Sequence, residues 1–162
     1  MIRMSKQADY GLVLMTAFLR GREGGGNFSA RELAARTRLP LPMVSKILKA
    51  LAREGLLTSH RGTNGGYSLA RTPDRISVSE VLVAVEGPIA MTECLHDRGD
   101  CRQVAVCPVR TNWERINVAV KHVLDAITLA DMAEPLPDSL VTVDGMVRTR
   151  REDRSGEMAR AL

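Results

Sequence analysis

Ser29-Ala-Arg-Glu-Leu-Ala-Ala-Arg-Thr-Arg-Leu-Pro-Leu-Pro-Met-Val-Ser-Lys-Ile-Leu-Lys-Ala-Leu-Ala-Arg-Glu-Gly55 decides the fold. Its first four residues are a capping box: the Ser29 hydroxyl accepts from the Glu32 backbone N–H while the Glu32 carboxylate reaches back to the cap. This opens a short helix over 30–37, with Leu33 and Ala34 facing inward. Pro40-Leu-Pro42 forces a turn, and Pro42 suits the first turn of a second helix. That helix runs to about Glu54, with Val44, Ile47, Leu48 and Leu51 apolar and Gly55 at its C-terminal end. Two short helices joined by a tight turn, the second carrying Ser45, Lys46, Lys49 and Arg53, make a helix-turn-helix.

The next residues sharpen this reading. Residues 56–59 read as a strand, 60–66 as a hairpin tip rich in glycine, and 67–69 as the return strand. A hairpin directly after a helix-turn-helix is a wing. Its glycines let backbone approach a phosphate or enter a narrow groove, and Arg61 supplies the charge.

Upstream, residues 5–20 form an amphipathic helix ended by Gly21-Arg-Glu-Gly-Gly-Gly-Asn27, which cannot sustain regular structure. Residues 1–75 carry a net charge of +8, against −2 in 76–130 and −2 in 131–162. A basic N-terminal half is the footprint of a nucleic-acid reader, although a solvated basic surface has the same composition. Downstream, Ser77-Val-Ser-Glu80 is a second capping box opening a helix to about Glu86, closed by Gly87-Pro88.

All three cysteines of the 162-residue chain, Cys94, Cys101 and Cys107, then fall within fourteen positions. An odd count argues against a closed disulfide set. The residues between the first two are polar and turn-forming, and thiolates grouped in this way suit zinc, copper(I) or an iron–sulfur cluster. From Pro108 a single helix is expected to Met132, about 36 Å long. Val109, Trp113, Ile116, Val120, Val123, Ile127 and Ala130 lie alternately four and three residues apart along it, an a/d seam for a partner helix or for the chain's own core. A partner helix in a second subunit is preferred, because the preceding residues already make a compact unit.

The expected architecture is therefore mainly α with a small β-hairpin wing. Residues 1–87 form a winged helix-turn-helix, 88–107 a cysteine loop, 108–132 a dimerisation helix and 133–162 a disordered tail. No apolar run approaches the ~20 residues of a membrane span. With no signal core at the N-terminus, a cytoplasmic protein without a membrane partner is expected. No phosphate-binding glycine loop, catalytic Cys/His/Asn set or metal-hydrolase spacing is present, so catalysis is not expected.

The order helix, winged helix, three-cysteine loop and long helix resembles the Rrf-two family of bacterial winged-helix regulators. The match is carried by Met4-Ser-Lys-Gln-Ala-Asp-Tyr-Gly11, Leu56-Leu-Thr-Ser-His-Arg-Gly-Thr-Asn-Gly-Gly-Tyr67, Glu86-Gly-Pro-Ile-Ala90, Thr92-Glu-Cys94, Cys107-Pro-Val-Arg110 and Trp113. It covers about residues 1–133, and the tail has no assigned counterpart. The nearest branch is that of the regulator of the SUF iron–sulfur assembly system.

The resemblance implies a homodimer on promoter DNA with one 2Fe–2S or 4Fe–4S cluster per subunit, held by Cys94, Cys101 and Cys107. In relatives that sense nitric oxide the fourth ligand is an aspartate of the other subunit, and the matching position is Asp9. Other relatives use a histidine three residues past the last cysteine; here that place is Arg110, which cannot ligate. His96 and His122 are also chemically able. On DNA, Ser45, Lys46 and Lys49 are expected in the major groove, with Arg61, Asn64 and Gly65 of the wing at the minor groove or phosphates. Arg38 and Lys6 add phosphate contacts. The rival readings are a zinc-stabilised winged helix and a thiol-redox regulator without a cluster.

Overall fold

The computed structural model describes residues 4–20, 26–62, 65–92, 95, 101 and 105–134. Helix α1 spans Lys6–Leu19, α2 Ala30–Thr37 and α3 Leu41–Arg53. Strands β1 (Leu57–His60) and β2 (Gly66–Leu69) follow, then α4 (Val78–Glu86), α5 (Arg110–Ala126) and α6 (Leu129–Ala133). The mainly helical winged-helix architecture expected from sequence is the one observed.

Helices α1, α2 and α4 each start on a side-chain cap. The Ser5 hydroxyl accepts from the N–H groups of Gln7 and Ala8 at the head of α1. Both capping boxes form: Ser29 with Glu32 ahead of α2, and Ser77 with Glu80 ahead of α4. The end of α2 is less conventional. Arg38 closes it in the left-handed conformation at φ 57°, ψ 28°, where glycine would be the unstrained choice.

Helices α1 to α4, α6 and the wing share one core. Leu14, Met15 and Phe18 of α1 meet Leu33 of α2 and Val44, Ile47, Leu48 and Leu51 of α3, with Leu56, Leu57 and Ile76 behind them. Phe18 and Phe28 pack edge to face, ring centroids 5.6 Å apart. Each large aliphatic side chain so buried contributes about 1.5–3 kcal/mol. The two strands pair antiparallel with Leu57 opposite Leu69 and Ser59 opposite Tyr67. Phe28 extends this ladder: its N–H donates to Tyr67 O at 2.9 Å and its carbonyl accepts from Tyr67 N–H at 2.8 Å. The wing is thereby stitched to the residues that precede α2.

The single helix expected over 108–132 is two helices. Helix α5 ends at Ala126, Ile127 is extended at φ −90°, ψ 121°, and Thr128 caps α6 through a third capping box with Asp131. The break has a tertiary cause. Ile127 O accepts from Val78 N–H at 2.9 Å, and Leu129 N–H donates to Ile76 O at 2.8 Å. These are backbone bonds a continuous helix would have used internally. Leu129, 1% exposed, enters the main core, so the winged-helix unit is completed from beyond residue 87.

The heptad seam is cut accordingly. Ile127 packs with Leu124 and Ile89 against a small cluster of Ala8, Val78 and Leu82. Val109, Ile116 and Val123 remain exposed, and no residue of α5 is buried.

Candidate nucleic-acid interface and cysteine site

Helix α3 divides cleanly into two faces. Val44, Ile47, Leu48 and Leu51 are buried, whereas Pro42, Lys46, Lys49 and Arg53 are all exposed. The exposed set recurs at spacings of four, three and four residues, so it forms one stripe along the helix. Ser45 lies half-buried at its margin. Arg38 is exposed in the turn before α3, Lys6 is exposed at the head of α1, and Arg61 is exposed where β1 ends.

Among the described residues, Lys6, Arg38, Lys46, Lys49 and Arg61 enter no ion pair, while Arg53 is engaged by Glu54 at 3.5 Å. Exposed cations without an ion pair are free to neutralise phosphates. Arg53 belongs to the same stripe geometrically, but Glu54 offsets its charge.

In the wing, Asn64 lies outside the described residues. Gly65 has a structural explanation of its own: its N–H donates to Gly62 O at 2.9 Å. A Cβ there would sit 2.8 Å from the carbonyl oxygens of Gly62 and His60. The tight turn itself demands glycine, and the amide is already used. A cross-strand contact of 2.8 Å between His60 Nε2 and Ser68 Oγ stiffens the hairpin.

Of the thiols, Cys101 and Cys107 are half-buried and free, and Cys94 lies outside the described residues. Cys107 adjoins the start of α5, its carbonyl accepting from Arg110 N–H at 3.4 Å. Among the described residues no group of three His, Cys, Asp or Glu side chains is placed to hold a metal. Asp9 is exposed in the first turn of α1. Arg110 is occupied by Glu114, Nε to Oε1 at 3.0 Å. His122 stands twelve residues into α5 from Arg110, about 18 Å along the axis, too far to ligate beside Cys107 of its own chain. His96 lies outside the described residues. Among the described residues the soft donors at this site are the thiols of Cys101 and Cys107.

One contact here had no signal in the local sequence. The Asn117 side chain on α5 accepts from Met91 N–H at 3.0 Å and donates to Ile89 O at 3.1 Å. It ties the segment leading toward Cys94 to the helix that begins just after Cys107. Nothing near Asn117 in sequence announces this, because its partners lie 28 and 26 residues away.

Residues 4–135 match a known family profile, described as Rrf2, iron-dependent transcriptional regulator. The chain belongs to the Rrf2 family. Its sequence is 33% identical over 132 residues to the HTH-type transcriptional regulator CymR of Bacillus subtilis, covering 82% of this chain and 90% of CymR. The solved structure of that relative, described as the global cysteine regulator of B. subtilis, superposes with a TM-score of 0.63 at 32% identity over 82% of this chain and 97% of that one. The structure of T. potens IscR superposes with a TM-score of 0.58 at 29% identity, over 81% and 85% of the two chains. An HTH-type Rrf2 relative of Mycobacterium tuberculosis, Rv1287, is 31% identical over 157 residues, 96% of each chain, so similarity runs into the tail as well. Rrf2 membership makes this chain a transcriptional regulator and not an enzyme. Among the described residues no helix is long and apolar enough to cross a membrane.

Proposed function

We propose that this Rrf2-family regulator binds promoter DNA as a homodimer whose affinity is set by one iron–sulfur cluster per subunit, and that its targets are iron–sulfur assembly genes of the SUF type. The observation that carries the proposal is the cysteine site: three thiols within fourteen positions, of which Cys101 and Cys107 are free and half-buried and Cys107 adjoins the start of α5. Similarity to T. potens IscR supports the same reading.

Cys94, Cys101 and Cys107 would hold the cluster, with Asp9 of a second subunit as fourth ligand. Such a cluster supplies an iron whose oxygen-ligated site yields to oxidants, nitric oxide or iron shortage. The protein's part is mechanical. Asn117 and the Cys107–Arg110 junction connect both flanks of the cysteine segment to α5, and the backbone bridge at Ile127–Leu129 connects α5 to the winged helix. The exposed apolar residues of α5 supply the dimer contact. In such a dimer, tilting α5 changes the spacing of two α3 helices that must sit about one DNA turn, ~34 Å, apart. Lys46 and Lys49 then enter the major groove, with Ser45 beside them and Arg61 on the flanking phosphates or minor groove.

A second reading is favoured by the similarity to CymR, the global cysteine regulator of B. subtilis: a cluster-free regulator that works through thiol oxidation or a zinc ion. Native mass spectrometry of protein purified without oxygen separates the two. A dimer carrying two iron–sulfur clusters is expected. A dimer that takes up only zinc, or nothing after reconstitution, removes the cluster mechanism and leaves the thiol reading.

A further inference from the structure

The tip of α3 is apolar where a DNA-reading helix more often offers hydrogen-bond donors. Pro40, Leu41 and Pro42 are all exposed, Leu41 at 39%. A single exposed leucine is ordinary; its position is not. It stands beside Pro42, the first member of the exposed stripe, at the end of α3 that contacts base edges when such a helix enters the major groove.

The chemistry of the tip narrows what it can read. Proline has no N–H, so positions 40 and 42 offer no backbone donor to a base or phosphate. Pro40 caps the helix with no side-chain hydrogen bond. The flanking prolines also restrict the backbone around Leu41, so holding it against a surface costs little conformational entropy. Among base edges in the major groove, one apolar group is available, the C5-methyl of thymine. Lys46 and Lys49, unpaired on the same stripe, draw the helix onto a polyanion rather than onto an apolar protein surface.

We propose that Pro40, Leu41 and Pro42 form a reader of thymine that recognises a T·A pair by its methyl group in each half-site. This rests on the DNA-binding reading of α3 and adds a base preference to it.

The test removes one methyl group at a time. The full-length protein enriches a duplex from a random pool, and each dT of that duplex is replaced by dU. One replacement in a single half-site is expected to weaken wild-type binding roughly fourfold, the worth of one buried methyl group. Leu41→Ala and Pro42→Ala, both at exposed positions, should bind the dT and dU duplexes with nearly equal affinity. If no dU replacement weakens the wild type, or the penalty persists undiminished in both variants, the methyl reader is wrong while DNA binding stands. If no duplex is enriched at all, the DNA-binding reading of α3 falls and the methyl reader falls with it.

Discussion

Asn117 and Met91 are joined by a 3.0 Å hydrogen bond, side-chain oxygen to backbone N–H, across 26 residues of sequence. With the companion bond to Ile89 O at 3.1 Å, one amide satisfies two backbone groups. Asn117→Leu keeps the bulk and removes both bonds. It should destabilise the protein by roughly 1–3 kcal/mol, and Met91 N–H should exchange with solvent faster. Exchange at Met91 unchanged from wild type would contradict the contact.

Leu129 lies in the core of a unit whose other members come mostly from residues 14–81. Leu129→Ala is therefore predicted to lower the unfolding free energy by about 2–5 kcal/mol, as a large-to-small core change does. The loss should appear in the melting of the whole winged helix. Fraying confined to the C-terminal side would argue that α6 is an accessory.

Lys49 is exposed and enters no ion pair on the α3 stripe; within the major groove proposed for it, a contact with phosphate alone has a distinct signature. Lys49→Ala should weaken binding about equally across DNA sequences and make the dependence of log affinity on log salt shallower by about one unit. Lys46→Ala, if that side chain reaches a base, should instead cost roughly 1–3 kcal/mol at one position of the site.

Glu80 sets the acid limb of stability. Partial burial opposes its ionisation, but the Ser77 backbone N–H and the Arg71 guanidinium outweigh that and hold its carboxyl below its usual 4.5. Asp125 is likewise lowered from 3.8, by hydrogen bonds from Lys121 and Ser79. For a depressed carboxyl the stabilisation is fully present above the unfolded value and lost as pH falls through the folded one. Stability should therefore decline below about pH 4.5. Glu80→Gln should flatten that decline while costing under about 1 kcal/mol near neutrality, since the ion pair is partly exposed. An acid limb identical to wild type would show that Glu80 titrates equally in both states.

Cys101→Ala should abolish cluster absorbance and leave a folded protein of unchanged oligomeric state. A variant that still carries a full cluster would remove Cys101 from the ligand set.

The elements most legible in the sequence were those whose causes are local. Ser29 with Glu32 and Ser77 with Glu80 announce two helices within four residues each, and the glycines of the wing mark a turn that only glycine fits. What escaped depended on distant partners. The break after Ala126 is driven by backbone pairing with Ile76 and Val78, some fifty residues earlier. A local hint existed, since Thr128-Leu-Ala-Asp131 is itself a capping box, but it lies inside a convincing heptad pattern. The left-handed Arg38 had no precedent in composition, because glycine is the residue that geometry prefers. The proposed ligand set is legible only where it has spacing within one chain: three thiols within fourteen positions announce themselves, whereas a donor from a second subunit would leave no such signal.

The bond pair between Phe28 and Tyr67 gives the reading head a property of its own. A hairpin anchored only at its base would swing and accommodate half-sites of different length. Here the wing is fastened to the lead-in of α2, and Arg36 of α2 lies 4.4 Å over the Phe28 ring. The wing and α3 therefore behave as the fixed jaws of a calliper. In the dimer proposed above, target promoters would have little latitude within a half-site, and tolerance would be located in the spacer between the two halves.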